Sequence, residues 1–95
     1  MIQLGGNIEL EGFEAIEPGK LVVVKKLVGN YARQISDSSK EFEKLSVSIS
    51  RNNEGYTLTA MAVIAGNKKS EEAKDKRLFY GLDQVLGALL NSVKQ

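Results

Sequence analysis

Residues 45–64 read Leu45-Ser46-Val47-Ser48-Ile49-Ser50-Arg51-Asn52-Asn53-Glu54-Gly55-Tyr56-Thr57-Leu58-Thr59-Ala60-Met61-Ala62-Val63-Ile64. Leu45, Val47 and Ile49 alternate with three serines, which is the period-two pattern of a strand with one buried face. Asn52-Asn53-Glu54-Gly55 supplies turn residues that tolerate positive φ. Tyr56, Leu58, Ala60, Ala62 and Ile64 then alternate with Thr57, Thr59, Met61 and Val63. The stretch predicts a β-hairpin whose aliphatic set faces a core and whose Ser46, Ser48, Ser50, Thr57 and Thr59 face water.

C-terminal to the hairpin, Gly66 to Lys69 read as a turn, and Ser70 to Lys74 as either an exposed edge strand or a loop. Asp75 is placed to N-cap a helix. Leu78, Leu82, Val85, Leu86, Leu89 and Val93 share one face of that helix over more than four turns. N-terminal to the hairpin, Glu17-Pro18-Gly19-Lys20 opens another helix, because proline suits the first helical position. Leu21, Val24, Val28, Tyr31 and Ile35 form its apolar stripe, and Ser36-Asp37-Ser38-Ser39 read as its end and a loop. Ile8 and Leu10 alternate with Glu9 and Glu11 in a first strand. Gly12 sits where the apolar phase changes before Phe13, which suggests a bulge or bend in that strand. Gly5-Gly6 read as a loose start. The expected architecture is one α+β domain over residues 1–95, a two-layer sandwich in the order β-α-β-β-(β)-α. Its sheet is mostly antiparallel and both helices lie on one face.

Composition narrows the chemistry. The 95 residues include no cysteine and no histidine. Disulfides, thiolate metal sites and the commonest general base are therefore excluded, and neither an enzyme nor a cofactor is expected. Serines lack a base, and Glu9-Glu11 and Glu71-Glu72 lack the enclosure that would separate two carboxyl pKa values. Gly66-Asn67-Lys68-Lys69-Ser70 has Asn67 where a phosphate loop needs lysine, so a turn is the better reading. No apolar run approaches the roughly 20 residues of a membrane span. The start lacks a basic leader before a long apolar stretch, so the expected location is cytoplasmic.

Net charge is only +1, but it is unevenly spread: residues 1–17 carry −4 and residues 18–95 carry +5. Lys26, Asn30 and Arg33 fall on one stripe of the first helix, opposite its apolar face, with Lys20 and Lys25 flanking. Lys68, Lys69, Lys74, Lys76 and Arg77 gather before and at the start of the second helix. Cations so placed can contact phosphate oxygens. Lys25, Lys26, Asn30, Arg33, Lys68, Lys69, Lys74, Lys76 and Arg77 are thus the candidate RNA-binding residues. Base stacking on the sheet is not expected, because the outward set carries no aromatic. A competing reading is a protein-interaction or homo-oligomerising domain. It would pair through an edge strand or through the open sheet face, where Met61 and Val63 interrupt a polar surface.

The run Ala73, Lys76-Arg77, Phe79-Tyr80, Leu82 and Asp83, with Pro18 opening the first helix, resembles the ribosome hibernation-promoting factors, the ribosome-associated inhibitor family. The chain differs from that family's pattern at Lys76-Arg77, where acidic residues are usual. The resemblance implies a strand, a helix, three strands and a second helix. It also implies a ribosome or structured-RNA partner contacted through basic residues on the helices, of which Lys25, Lys26 and Arg33 are the counterparts here.

Overall fold

The computed structural model describes residues 1–94. In chain order it contains β1 (Ile2–Leu4), β2 (Ile8–Glu11), a 3-10 turn (Phe13–Ala15), α1 (Pro18–Ser38), β3 (Phe42–Asn52), β4 (Gly55–Ile64), β5 (Asn67–Asp75) and α2 (Leu78–Lys94). The five strands form one sheet in sequence order. Only β2 and β3 pair in parallel; the other neighbours are antiparallel. That parallel pair needs a crossover, and α1 is it. The two-layer α+β sandwich expected from the sequence is the observed one.

The hairpin register explains which face is buried. Leu45 stands opposite Ala62, Val47 opposite Ala60, and Ile49 opposite Leu58. Leu45, Val47, Leu58, Ala60 and Ala62 are buried, together with Leu10 of β2 and Ala73 of β5. The serines lie on the other face, with Ser50 exposed and Ser46 and Ser48 half-buried. Ile49, expected in the core, is half-buried and packs at its margin.

Above the buried face, α1 contributes Val24, Val28, Ala32 and Ile35, and α2 contributes Leu78, Leu82, Val85, Leu86, Leu89 and Leu90. α2 lies over β4 and β5 and against α1. The sheet beneath it is floored by alanines, so the helix can sit low. A Cβ added at Gly81 would come within 2.8 Å of the Leu58 side chain and 3.1 Å of Asp75 Cβ. Only glycine admits that approach.

Several local expectations are corrected. The loose start is a strand: β1 folds back on β2, with Gly5 at φ 68° in the turn, and Ile2 and Leu4 pack on the core margin. Of the bulge or bend expected at Gly12, a bend forms: it ends the first strand at φ 84°, and the 3-10 turn that follows delivers Phe13 fully buried into the core. A Cβ at Gly12 would lie 2.5 Å from the Ile49 carbonyl oxygen. α1 continues to Ser38, with the Ser39 N–H donating to the Ile35 carbonyl. The second hairpin turn is confined to Ala65 and Gly66, both at positive φ, so Asn67, Lys68 and Lys69 already belong to β5. Ser70–Lys74 therefore form an edge strand and not a loop. Their charges mask a pairing that the apolar partner β4 enforces. Asp75 acts at the start of α2, but two residues earlier than a cap. Its Oδ1 accepts the Arg77 N–H at 2.8 Å, while the Arg77 carbonyl accepts the Gly81 N–H.

Leu86 is fully buried in the middle of the α2 stripe. Leu86→Ala is expected to lower unfolding free energy by about 2–5 kcal/mol in urea titrations. Gly81→Ala should cost about 1–3 kcal/mol through the forced rise of α2 off Leu58. A loss below about 0.5 kcal/mol in both would contradict the low seating of α2.

Candidate nucleic-acid interface

Helical geometry places Lys26, Asn30 and Arg33 on the side of α1 turned away from Val24, Val28 and Ile35. All three are exposed, as are Lys25 and Lys20. Lys26 and Arg33 are two turns apart, roughly 10 Å along the axis. Lys20 is drawn towards Glu17 at 3.5 Å, whereas Lys25, Lys26 and Arg33 form no ion pair among the described residues. Val22 and Val23, 54% and 46% exposed, lie beside Lys26 on this surface. Asp37 is exposed one turn beyond Arg33, so the positive stripe fades towards the C-terminal end of α1.

The interhelical seam is pinned by a single polar contact. Tyr31 Oη donates to Asp83 Oδ1 at 2.6 Å, linking the middle of α1 to the first half of α2. Gly87 sits one turn further, where an added Cβ would lie 3.6 Å from the Tyr31 hydroxyl. The bond to the Asp83 carboxylate, with a smaller contribution from burial, pushes the Tyr31 phenol up to about 12. The buried stripe of Val24, Val28, Ala32 and Ile35 sets which residues of α1 face outward, and the Tyr31–Asp83 bond ties that arrangement to α2.

The start of α2 holds the second basic group. Lys76 and Arg77 are exposed. The Arg77 backbone N–H, and next its guanidinium at 3.3 Å, hold the Asp75 carboxyl below its ordinary pKa. The same guanidinium lies 3.9 Å from the ring centroid of Tyr80, itself 60% exposed. This is a cation–π stack on the surface. Next to it, the β3–β4 turn and the end of β5 enclose a cleft of about 500 Å³ lined by Asn52, Glu54, Tyr56, Lys74 and Lys76 among others.

The nine candidate residues thus separate into three groups and one residue apart from them, Lys69. Lys25, Lys26, Asn30 and Arg33 share the outer helix layer. Lys76 and Arg77 lie at the end of the molecule where α2 starts. Lys68 and Lys74, by contrast, point from β5 onto the open face of the sheet, on the same side as Ser70 and Glu72. Lys69 points the other way, and its Nζ donates to the Ser92 carbonyl at 2.9 Å, neutralising the C-terminal end of α2. Its role in the structure is a helix contact. The open face itself is mixed in charge: Glu9 pairs with Lys44 at 3.0 Å and accepts from Ser46 Oγ at 3.4 Å. No aromatic side chain stands there, since Tyr56 lies in register with the core-facing set. Among the described residues no group of acidic side chains is placed to hold a metal ion, and no helix is long and apolar enough to cross a membrane.

The sequence reading missed the Arg77–Tyr80 stack and the Tyr31–Asp83 bond. The first was legible as an i, i+3 pair on one helix. The second joins residues 52 apart and leaves no local signal.

The geometry defines a class: a two-layer α+β domain in which a β-α-β crossover continues into a β-meander and a closing helix that packs beside the first. Solved structures share it. The N-terminal domain of Protein Y from Thermus thermophilus superposes with a TM-score of 0.72, at 15% identity, over 94% of this chain and 97% of that one. A ribosomal subunit interface protein from Coxiella burnetii superposes with a TM-score of 0.67, at 12% identity, over 93% of each chain. The fold implied by the sequence resemblance is thus shared with solved structures, one of them a ribosomal subunit interface protein. No family profile matches the chain, and no curated protein matches it.

The Tyr31–Asp83 bond has a titration signature. The Tyr31 phenolate should appear near pH 12, and Asp83→Asn should bring it back towards 10. The folded-state pKa is raised, so the stability tied to this bond is complete below pH 10. It is lost as pH rises from about 10 to about 12. Phenolate absorbance against pH on wild type and Asp83→Asn checks it. An unshifted Tyr31 in the wild type would mean that the seam is open in solution.

Proposed function

We propose that this chain is a non-enzymatic RNA-binding domain that docks on the ribosome. The binding surface is the outer face of α1 (Lys25, Lys26, Asn30, Arg33) together with the start of α2 (Lys76, Arg77). The observation that carries the reading is the coincidence of two things. The fold is shared with Protein Y and with a protein described as lying at the ribosomal subunit interface, and the unpaired cations of α1 lie on the exposed helix layer of that same fold. Phosphate oxygens are the natural ligands of such cations, and the affinity they supply is independent of sequence. The Arg77–Tyr80 stack presents a planar cation at the edge of the surface, suited to a phosphate or a base. Lys68 and Lys74, on the opposite face of the sheet, would contribute only through the general field. This reading makes ribosomal subunits or structured RNA the partner and the cytoplasm the place of action.

Such binding must fall steeply with salt. Each phosphate neutralised contributes about −0.9 to the slope of log K against log salt on duplex DNA and about −0.7 on single strands. Lys26→Ala with Arg33→Ala should therefore flatten the slope by about one to two units. Stability should hardly change, since neither side chain is buried. Titration of labelled protein with ribosomal subunits across a salt series measures this. Absence of binding at low salt would overturn the proposal. An unchanged slope in the double variant would remove α1 from the binding surface.

A further inference from the structure

The sheet has one long free edge. β5 pairs with β4 along its whole length without a bulge, from Tyr56 opposite Asp75 to Ile64 opposite Asn67, and among the described residues no strand pairs with its other side. The edge is nine residues long, contains no proline, and Lys68, Ser70, Glu72 and Lys74 along it are exposed. Natural sheets commonly protect such an edge with proline, a bulge or charged side chains, lysine above all. Here the charges are of both signs, and their order is Asn67-Lys68-Lys69-Ser70-Glu71-Glu72-Ala73. Read from either side of Ser70, Lys69 is matched by Glu71 and Lys68 by Glu72, while Lys74 falls opposite the turn residue Gly66.

We propose that two copies of this chain pair through β5, antiparallel, with Ser70 facing Ser70 of the partner. A two-fold axis normal to the sheet must place one residue opposite its own copy. Centring on Ser70 sets Lys68 against the partner's Glu72 and Lys69 against the partner's Glu71, each pair occurring twice. The adjacent two-fold registers fail. Centring on Lys69 opposes two copies of that lysine. Centring on Glu71 opposes two copies of that glutamate and puts Lys68 against the partner's Lys74. Like charges directly across an antiparallel pair are destabilising, whereas opposite charges stabilise it. The charge pattern therefore admits one of the three registers.

The layer above is compatible. α2 packs on both β4 and β5, and strands are about 4.8 Å apart. Two copies of α2 related by this axis would then lie on the order of 10 Å apart, the spacing at which helices pack. The flank of α2 nearest β5 contains Gly81, beside Asp75, and Ser92, whose carbonyl accepts from Lys69. The residues between them on that flank, Gln84 and Ala88, are uncharged. The product is a ten-stranded sheet with four helices on one side. The outer faces of both α1 helices stay free, so the inference stands apart from the ribosome reading.

Lys68 and Glu72 are exposed and make no ion pair within the chain among the described residues, so they can be changed without touching the fold. Sedimentation equilibrium of the full chain should show a monomer–dimer equilibrium at concentrations up to about 1 mM. Lys68→Glu alone and Glu72→Lys alone should each weaken the dimer about tenfold or more, because each places like charges together twice. The double exchange should restore it. The chain has no cysteine, so Ser70→Cys provides a register-specific crosslink. Its two Cα atoms would lie about 4.5–5.5 Å apart, inside disulfide reach. Those of Glu72→Cys would be about 14 Å apart and should not link. A wild type that stays monomeric at about 1 mM overturns the proposal. So does a dimer indifferent to the single exchanges, or one that crosslinks through Glu72→Cys and not through Ser70→Cys.

Discussion

The close seating of α2 on the sheet is the constraint from which the rest of the arrangement follows. Gly81 leaves room for Leu58 and Asp75 at distances no larger residue would permit. Ala60, Ala62 and Ala73 make the floor beneath it shallow. A helix held low over β4 and β5 can bury Leu82, Leu86 and Leu89 completely and still reach α1 with its other flank. Close packing of this kind transmits position, because a dense interior has no slack in which a helix can slide. The buried stripe of α1 packs against the same layer, and the Tyr31–Asp83 bond ties the two helices together.

That chain of placement determines what the surface can do. With α1 rolled so that Val24, Val28 and Ile35 face inward, Lys26, Asn30 and Arg33 face outward. With α2 begun at Leu78, Lys76 and Arg77 fall at one end of the helix layer, where Asp75 and Tyr80 hold the arginine side chain between them. The opposite surface has another character. Glu9, Lys44 and Ser46 neutralise one another across β2 and β3, so the open sheet face presents short polar side chains and no sustained positive potential. The molecule has a cationic helix side, a sheet side of mixed charge and an edge strand bearing both signs.

The sequence and the structure part company where pairing is non-local. β5 was ambiguous because Lys68, Lys69, Glu71, Glu72 and Lys74 have weak strand preference, and only the continuous ladder to β4 overrides it. β1 was missed because three residues after a methionine carry no periodicity, while the β2 edge supplies the partner that makes them a strand. Gly12 announced the change of phase and the bend, but not why the residue must be glycine: the Ile49 carbonyl, 37 residues away, leaves no room for a Cβ. Lys69 looked like its neighbour Lys68, yet a period of two sends it to the helix side and into contact with Ser92.

The sequence by itself determined the two amphipathic helices, the central hairpin with its buried and wet faces, and the absence of thiol and imidazole chemistry. These are properties of local period and of residue type, and solvent alone enforces them: an apolar stripe must be covered whatever covers it. Strand order, the parallel pairing of β2 with β3, the tie between α1 and α2 and the division of the nine candidate residues among four places were decided only in the tertiary structure. Each of these depends on which distant segment lies alongside, and that is settled by packing volume and backbone hydrogen bonding across the whole sheet.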